Sequence, residues 1–135
     1  MITSAVKNQL VTASVGVEDV DLFMMPERPF QIGIVPVNAV FVFSSDGYMP
    51  LRSFSGCGDL RSIFVEIQIR RVHEDFAGGV AKAEAVWQAL QGADLSADIT
   101  AFLWCRSLRS APTYIGQNKD KHHIWTLRFE VGFMD

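Results

Sequence analysis

The chain has 135 residues, of which 49% are hydrophobic and 20% charged, with a formal net charge of -3 and a pI near 5.5. That length supports one hydrophobic core and is short for two, and the composition excludes the charged, core-poor class that stays disordered. The acidic balance argues against a protein built to grip phosphate backbones, which need clustered Lys and Arg, so nucleic acid is not an expected partner.

The N-terminus shows no basic stretch followed by a long apolar run, and no segment reads as a membrane span. A cytoplasmic site of synthesis is the expectation. Cys57 and Cys105 lie far apart and form no CxxC pair, so they read as free thiols rather than as a redox or zinc motif.

Ile2, Val6, Leu10 and Ala13 recur at helical spacing and predict a short first helix capped by Thr3 or Ser4 and ending before Gly16. From Glu18 to Pro36 the apolar residues are interrupted by Pro26, Pro29 and Pro36, which oppose both helix and central strand. This stretch reads as an extended loop packed on the domain. Val37 to Phe43 is rich in β-branched and aromatic residues, and Asp46-Gly47 before Tyr48 to Phe54 predicts a hairpin, with Pro50 suited to an edge.

Ile63, Val65, Ile67 and Ile69 alternate with Ser62, Phe64, Glu66, Gln68 and Arg70, which predicts a strand with one buried face. Behind Asp75, a natural N-cap, Phe76, Val80, Ala83, Trp87 and Leu90 draw one apolar stripe along a helix of about four turns, stopped at Gly92. Gly78 and Gly79 weaken its first turn by about 1 kcal/mol each relative to Ala.

Ile99 to Leu108 predicts a strand with bulk on both faces: Ile99, Ala101, Leu103 and Cys105 on one, Phe102, Trp104 and Leu108 on the other. A loop with Pro112, Gly116 and Asn118 leads to a last strand, where His123, Trp125, Leu127, Phe129, Val131 and Phe133 alternate with Ile124, Thr126, Arg128, Glu130 and Gly132. The expected fold class is therefore α+β, one domain over 1–135, with a mainly antiparallel sheet of four to five strands and two helices packed on one face. Phe64, Phe102 and Trp104 would then lie on the helix-free face. An aromatic patch there is expected to be covered by a neighbouring subunit or by the proline-rich loop.

Chemistry is sparse. Adjacent His122 and His123 would point to opposite faces of a strand and could not share a metal, and His73 at a strand end is explained by capping and solvation. Cys105 belongs to an expected core face, and Cys57 lies in a glycine-flanked loop. No GxxxxGK[ST], GxGxxG or GxSxG pattern occurs. No catalytic residue, cofactor or metal is expected. Arg52, Arg61, Arg70, Arg71, Arg106, Arg109 and Arg128 fall in or beside the predicted strands, as solvated positions or as pairing sites for a partner's carboxylates.

The order of these elements, the first helix, the Val37 to Phe43 hairpin turning at Asp46-Gly47, the strand Ile63 to Arg70 followed by the helix Phe76 to Leu90, and the closing strand Trp125 to Phe133, resembles the tail terminator proteins of long-tailed bacteriophages. The irregular run Met24 to Pro29 is longer than that pattern has at this place. The resemblance implies a structural subunit that forms a hexameric ring on the tail tube, ends tail elongation and offers a surface to the head-tail connector. Its partners would be copies of itself, the tail tube protein and the connector protein, at the head-tail junction of a virion assembled in the host cytoplasm. Phe64, Arg70, Phe102, Trp104 and Arg106 are the subunit-interface candidates; Met24, Met25, Arg28, Asp59 and Arg61 are candidates for loops that touch tube or connector. A neck adaptor or stopper, and a small-molecule-binding α+β domain, are the alternative readings.

Overall fold

In a computed structural model the described residues are 2–16, 22–25, 38–45, 51–52, 59–119 and 121–134. Two helices, α1 (Ile2–Thr12) and α2 (Phe76–Leu90), pack on one face of a sheet made of β1 (Leu22–Met25), β2 (Ala39–Ser45), β3 (Leu51–Arg52), β4 (Asp59–Arg71), β5 (Phe102–Ser107), β6 (Thr113–Gln117) and β7 (His123–Met134). The strand order is β1-β2-β4-β7-β5, with β3 paired to β4 and β6 to β7. Every pairing is antiparallel except β1 with β2. The fold is α+β, as the sequence predicts.

The long central pair β4 and β7 carries the two regular alternations. In register, Val65 faces Phe129, Ile67 faces Leu127 and Ile69 faces Trp125, and all six are buried beneath the helices. Val40 and Val42 of β2 and Cys105 of β5 extend this layer, and Ala5, Val6 and Leu10 of α1 with Ala83, Val86 and Leu90 of α2 close it. Burial pushes the Cys105 thiol up to about 12, as expected of a core cysteine rather than a nucleophile.

Several elements differ from their sequence reading. Helix α1 starts at Ile2, which packs against the core, so Thr3 and Ser4 lie inside the helix and do not cap it. Leu22–Met25 is not loop: these four residues precede Pro26, keep their backbone donors and add a short edge strand to β2. Among the described residues of the predicted hairpin, β2 and β3 do not pair with each other: both pair with β4 on the edge opposite β7 and follow one another along it, and Val37, Tyr48, Ser53 and Phe54 lie outside the described residues. Asp46, Gly47, Pro50, Cys57 and the run 26–37, Arg28 included, lie outside the described residues.

The buried stripe of α2 is Gly79, Ala83, Val86 and Leu90, while Phe76 and Val80 are nearly half exposed. The cause is Trp125: a Cβ on Gly79 would come within 2.2 Å of its ring, so the missing side chain lets helix and strand approach here. Asp75 is the N-cap as predicted, its carboxylate accepting from the Gly78 N–H at 3.2 Å. Strand β5 begins at Phe102 rather than Ile99, and a bulge at Leu103 shifts its phase. Phe102 therefore packs with Phe133 against the core instead of joining the helix-free face, and Leu103 turns outward. The predicted loop before the last strand contains β6, also bulged, between Tyr114 and Gly116.

Candidate functional site

The helix-free face is set by the even-numbered residues of β4 and β7. Phe64 stands in register with Glu130, Glu66 with Arg128, Gln68 with Thr126 and Arg70 with Ile124. Beside them β2 contributes Phe41, opposite Gln68, and β5 contributes Trp104 and Arg106, opposite Gly132 and Glu130. Four interface candidates, Phe64, Arg70, Trp104 and Arg106, thus share one face, and Phe102 is the one that does not.

Rings and guanidinium groups interleave across this surface. Arg70 lies 5.7 Å from the Phe41 ring, Arg128 5.3 Å from Phe64, and Arg106 5.3 Å from Trp104. Each such contact is worth about 0.5–1 kcal/mol at an exposed site. The Arg70 Nε–H also donates to Gln68 Oε1 at 3.1 Å. Trp104 lies flat on β7 because its partner is glycine: a Cβ at Gly132 would be 2.2 Å from the indole. Its N–H is buried without an acceptor, so packing and the guanidinium hold the ring.

Under this layer sits a buried charge. The Glu130 side chain is 3% exposed and accepts from the Arg106 Nε–H at 2.6 Å, whereas Arg106 is 60% exposed. The pair leaves one guanidinium edge facing water beside an aromatic plane, the arrangement that receives a partner's carboxylate or ring.

Of the loop candidates, Met24 and Met25 belong to the backbone of β1 and Asp59 opens β4 opposite Arg52. Arg61 is exposed and stacks over Phe133, its cross-strand partner, at 5.5 Å. These residues are strand members, not members of one loop cluster.

A second surface has no counterpart in the sequence reading. Where α2 starts over the sheet, Phe76, Tyr114, His123 and Trp125 form a box of rings with centroids 5.1–5.9 Å apart. His123 is buried; its Nε2–H donates to the His73 carbonyl at 3.0 Å, which leaves Nδ1 to accept from the Tyr114 hydroxyl at 2.8 Å. His73 stacks on His123, and its Nδ1 accepts from Gln117 Nε2 at 2.7 Å. His73 is solvent-exposed, as expected, with Asp75 supplying the cap beside it, and its ring also supports the box. Phe76 and Tyr114 of the box remain 46% and 43% exposed, and Val80 one turn along α2 is 45% exposed. The signal for this cluster was the histidine-aromatic spacing His123, Trp125, but its partners come from β6 and α2 and are not adjacent in sequence.

Among the described residues no three His, Cys, Asp or Glu side chains gather in a metal-binding group, and no helix is long and apolar enough to cross a membrane. What the two surfaces can do chemically is bind other protein surfaces, through rings, guanidinium groups and apolar side chains.

No protein-family model and no curated protein matches the sequence. The fold has a solved counterpart. A chain from the structure "Virion of native gene transfer agent (GTA) particle" is similar at a TM-score of 0.72, over 99% of this chain and 95% of that one. The two are 19% identical, so what they share is the fold, along almost the full length of both.

Proposed function

We propose that this chain is a structural, non-catalytic subunit of a phage-type virion, and within it a tail terminator: a hexameric ring that caps the tail tube, ends its elongation and receives the head connector. The observation that carries this reading is the end-to-end likeness to a chain of a gene transfer agent virion, in which nearly every residue of both chains participates. The order of helices and strands supports it through its resemblance to tail terminators.

The surfaces fit such a role. A ring subunit meets its two neighbours through two different patches and needs a third for each stacked partner. The Arg-aromatic face of Phe64, Trp104, Arg106 and Arg128 and the cluster of Phe76, Tyr114 and Trp125 lie on opposite sides of the sheet. Together they give one small chain two separate binding surfaces.

The test is tube growth. Tail tube protein polymerised in the presence of this chain should give tubes that stop and carry a ring at one end, while Trp104→Ala with Phe64→Ala should let them run on. Tubes that elongate unchanged beside the intact protein would reject the terminator role, and binding to a portal-side ring instead would assign the chain to the neck as an adaptor or stopper.

A further inference from the structure

Charge is sorted by surface in this chain. On the helix-free face β4, β7 and β5 carry Arg70, Arg128 and Arg106, against the two carboxylates Glu66 and Glu130. Glu130 is buried and spent on the Nε–H of Arg106, which leaves the rest of that guanidinium in water. Arg128 is exposed over the Phe64 ring, and among the described residues it has no ion pair, although Glu66 stands opposite it. Arg106 faces Glu130, two residues along β7 from Arg128, so the two guanidinium groups rise from diagonal positions roughly 7–8 Å apart, beside Trp104.

From Ala83 to Cys105 the balance is opposite: the only charged side chains are Glu84, Asp94 and Asp98, and all three are exposed. The two aspartates belong to the turn that joins α2 to β5. Buried Leu95 and Ile99 anchor this turn, and the Ile99 N–H donates to the Leu95 carbonyl at 2.9 Å to close one helical turn. The Gly92 N–H, donating to the Cys105 carbonyl at 2.9 Å, and Gln91 Oε1, accepting from the Ser107 N–H at 2.6 Å, brace its base on the outer edge of β5. Side chains four residues apart on a helical turn, the spacing of Asp94 and Asp98, stand roughly 5–6 Å from each other. Among the described residues neither aspartate is paired with an arginine of its own chain.

We propose that the turn 93–100 of one copy docks on the helix-free face of the next, with Asp94 and Asp98 against Arg106 and Arg128 beside Trp104. This rests on the ring reading above and specifies its lateral contact. Two carboxylates at that spacing match two guanidinium groups at theirs, and a planar guanidinium lying against an aromatic ring receives a carboxylate on its free edge. The alternatives are rejected by charge, since face on face opposes arginines and turn on turn opposes aspartates. Turn and face are different surfaces, so the contact is heterologous, and repeated around an axis it closes a ring. It leaves the cluster of Phe76, Tyr114 and Trp125, on the other side of the sheet, to a stacked partner.

The experiment uses the full chain and reads its concentration of half-assembly by light scattering, after far-UV circular dichroism has matched each variant to the parent. Arg106 stays in place because it neutralises Glu130. Arg128→Glu and Asp98→Lys should each raise the half-assembly concentration about tenfold, and a 1:1 mixture of the two should return close to the parental value, because alternating copies then meet with opposite charges at every contact. Arg128→Gln and Asp98→Asn, which remove charge without reversing it, should each give a rise of about threefold. Rings that ignore both reversals, or single losses that mixing does not repair, would overturn this contact and leave the ring reading standing. An Arg128→Glu chain that still forms rings but no longer binds tube or connector would overturn it too, and assign the face to an acidic surface of that partner. An intact chain that stays monomeric at every concentration, and also beside growing tail tubes, would overturn both.

Discussion

Replacing Arg106 by Met keeps an apolar stem over Trp104 but removes the guanidinium that neutralises Glu130. The carboxylate is 3% exposed, and its partner N–H lies 2.6 Å away. Stranding one member of a fully buried pair costs about 3–5 kcal/mol. Arg106 is itself 60% exposed, so water can reach part of the vacated site, and the cost falls to about 2 kcal/mol. With an unfolding entropy of roughly 2.1 cal/mol/K per residue, a chain of this size would lose about 7 °C in Tm. Glu130→Gln should cost about 1 kcal/mol by itself, since Arg106 keeps its contact with water. The double variant should be more stable than Arg106→Met, because a buried amide needs no counterion. Urea unfolding at neutral pH, followed by far-UV circular dichroism, gives the full cycle. An Arg106→Met chain within about 0.5 kcal/mol of the parent, or a double variant that loses the sum of the two single losses, would show that the pair does not hold this face together.

Three further outcomes follow from the packing. Gly79→Ala, which in an open helix would gain up to about 1 kcal/mol, should instead lose about 2 kcal/mol because the added carbon meets Trp125 at 2.2 Å, and thermal melts read the sign directly. Tyr114→Phe removes the donor to His123 Nδ1 and should cost about 1 kcal/mol, with a changed His123 ring signal in NMR. In a Cys57→Ser background Cys105 should not react with a thiol reagent at pH 8 until the chain unfolds. Its folded pKa is raised to about 12 against roughly 8.5 in the unfolded chain, so the linked stability is complete below the lower value and is lost as pH rises toward the higher one.

The legible parts of the fold are those where one physical signal dominates. Alternation placed β4 and β7 and their buried faces, and the capping chemistry of Asp75 placed the start of α2. Period two assigns a residue to a face but says nothing about which strand lies alongside, and so the sequence suggested a hairpin where β2 and β3 both lean on β4. A bulge adds one residue without any mark in composition; Leu103 reverses the phase of β5, which sends Phe102 to the core and keeps Trp104 outside. Gly79 reads as a flaw in a helix until Trp125 is seen beside it. The candidate face was legible as far as Phe64, Arg70, Trp104 and Arg106, because their strands are regular there. The ring box around His123 was not, because β6 is short, contains Gly116 and is read as loop.

The assembly state of the purified chain bears most directly on the proposal that it is a ring subunit. Light scattering across a wide concentration range, with negative-stain images of the largest species, should find a closed ring of six with a central opening. A chain that stays monomeric at every concentration, and also when mixed with growing tail tubes, would contradict it.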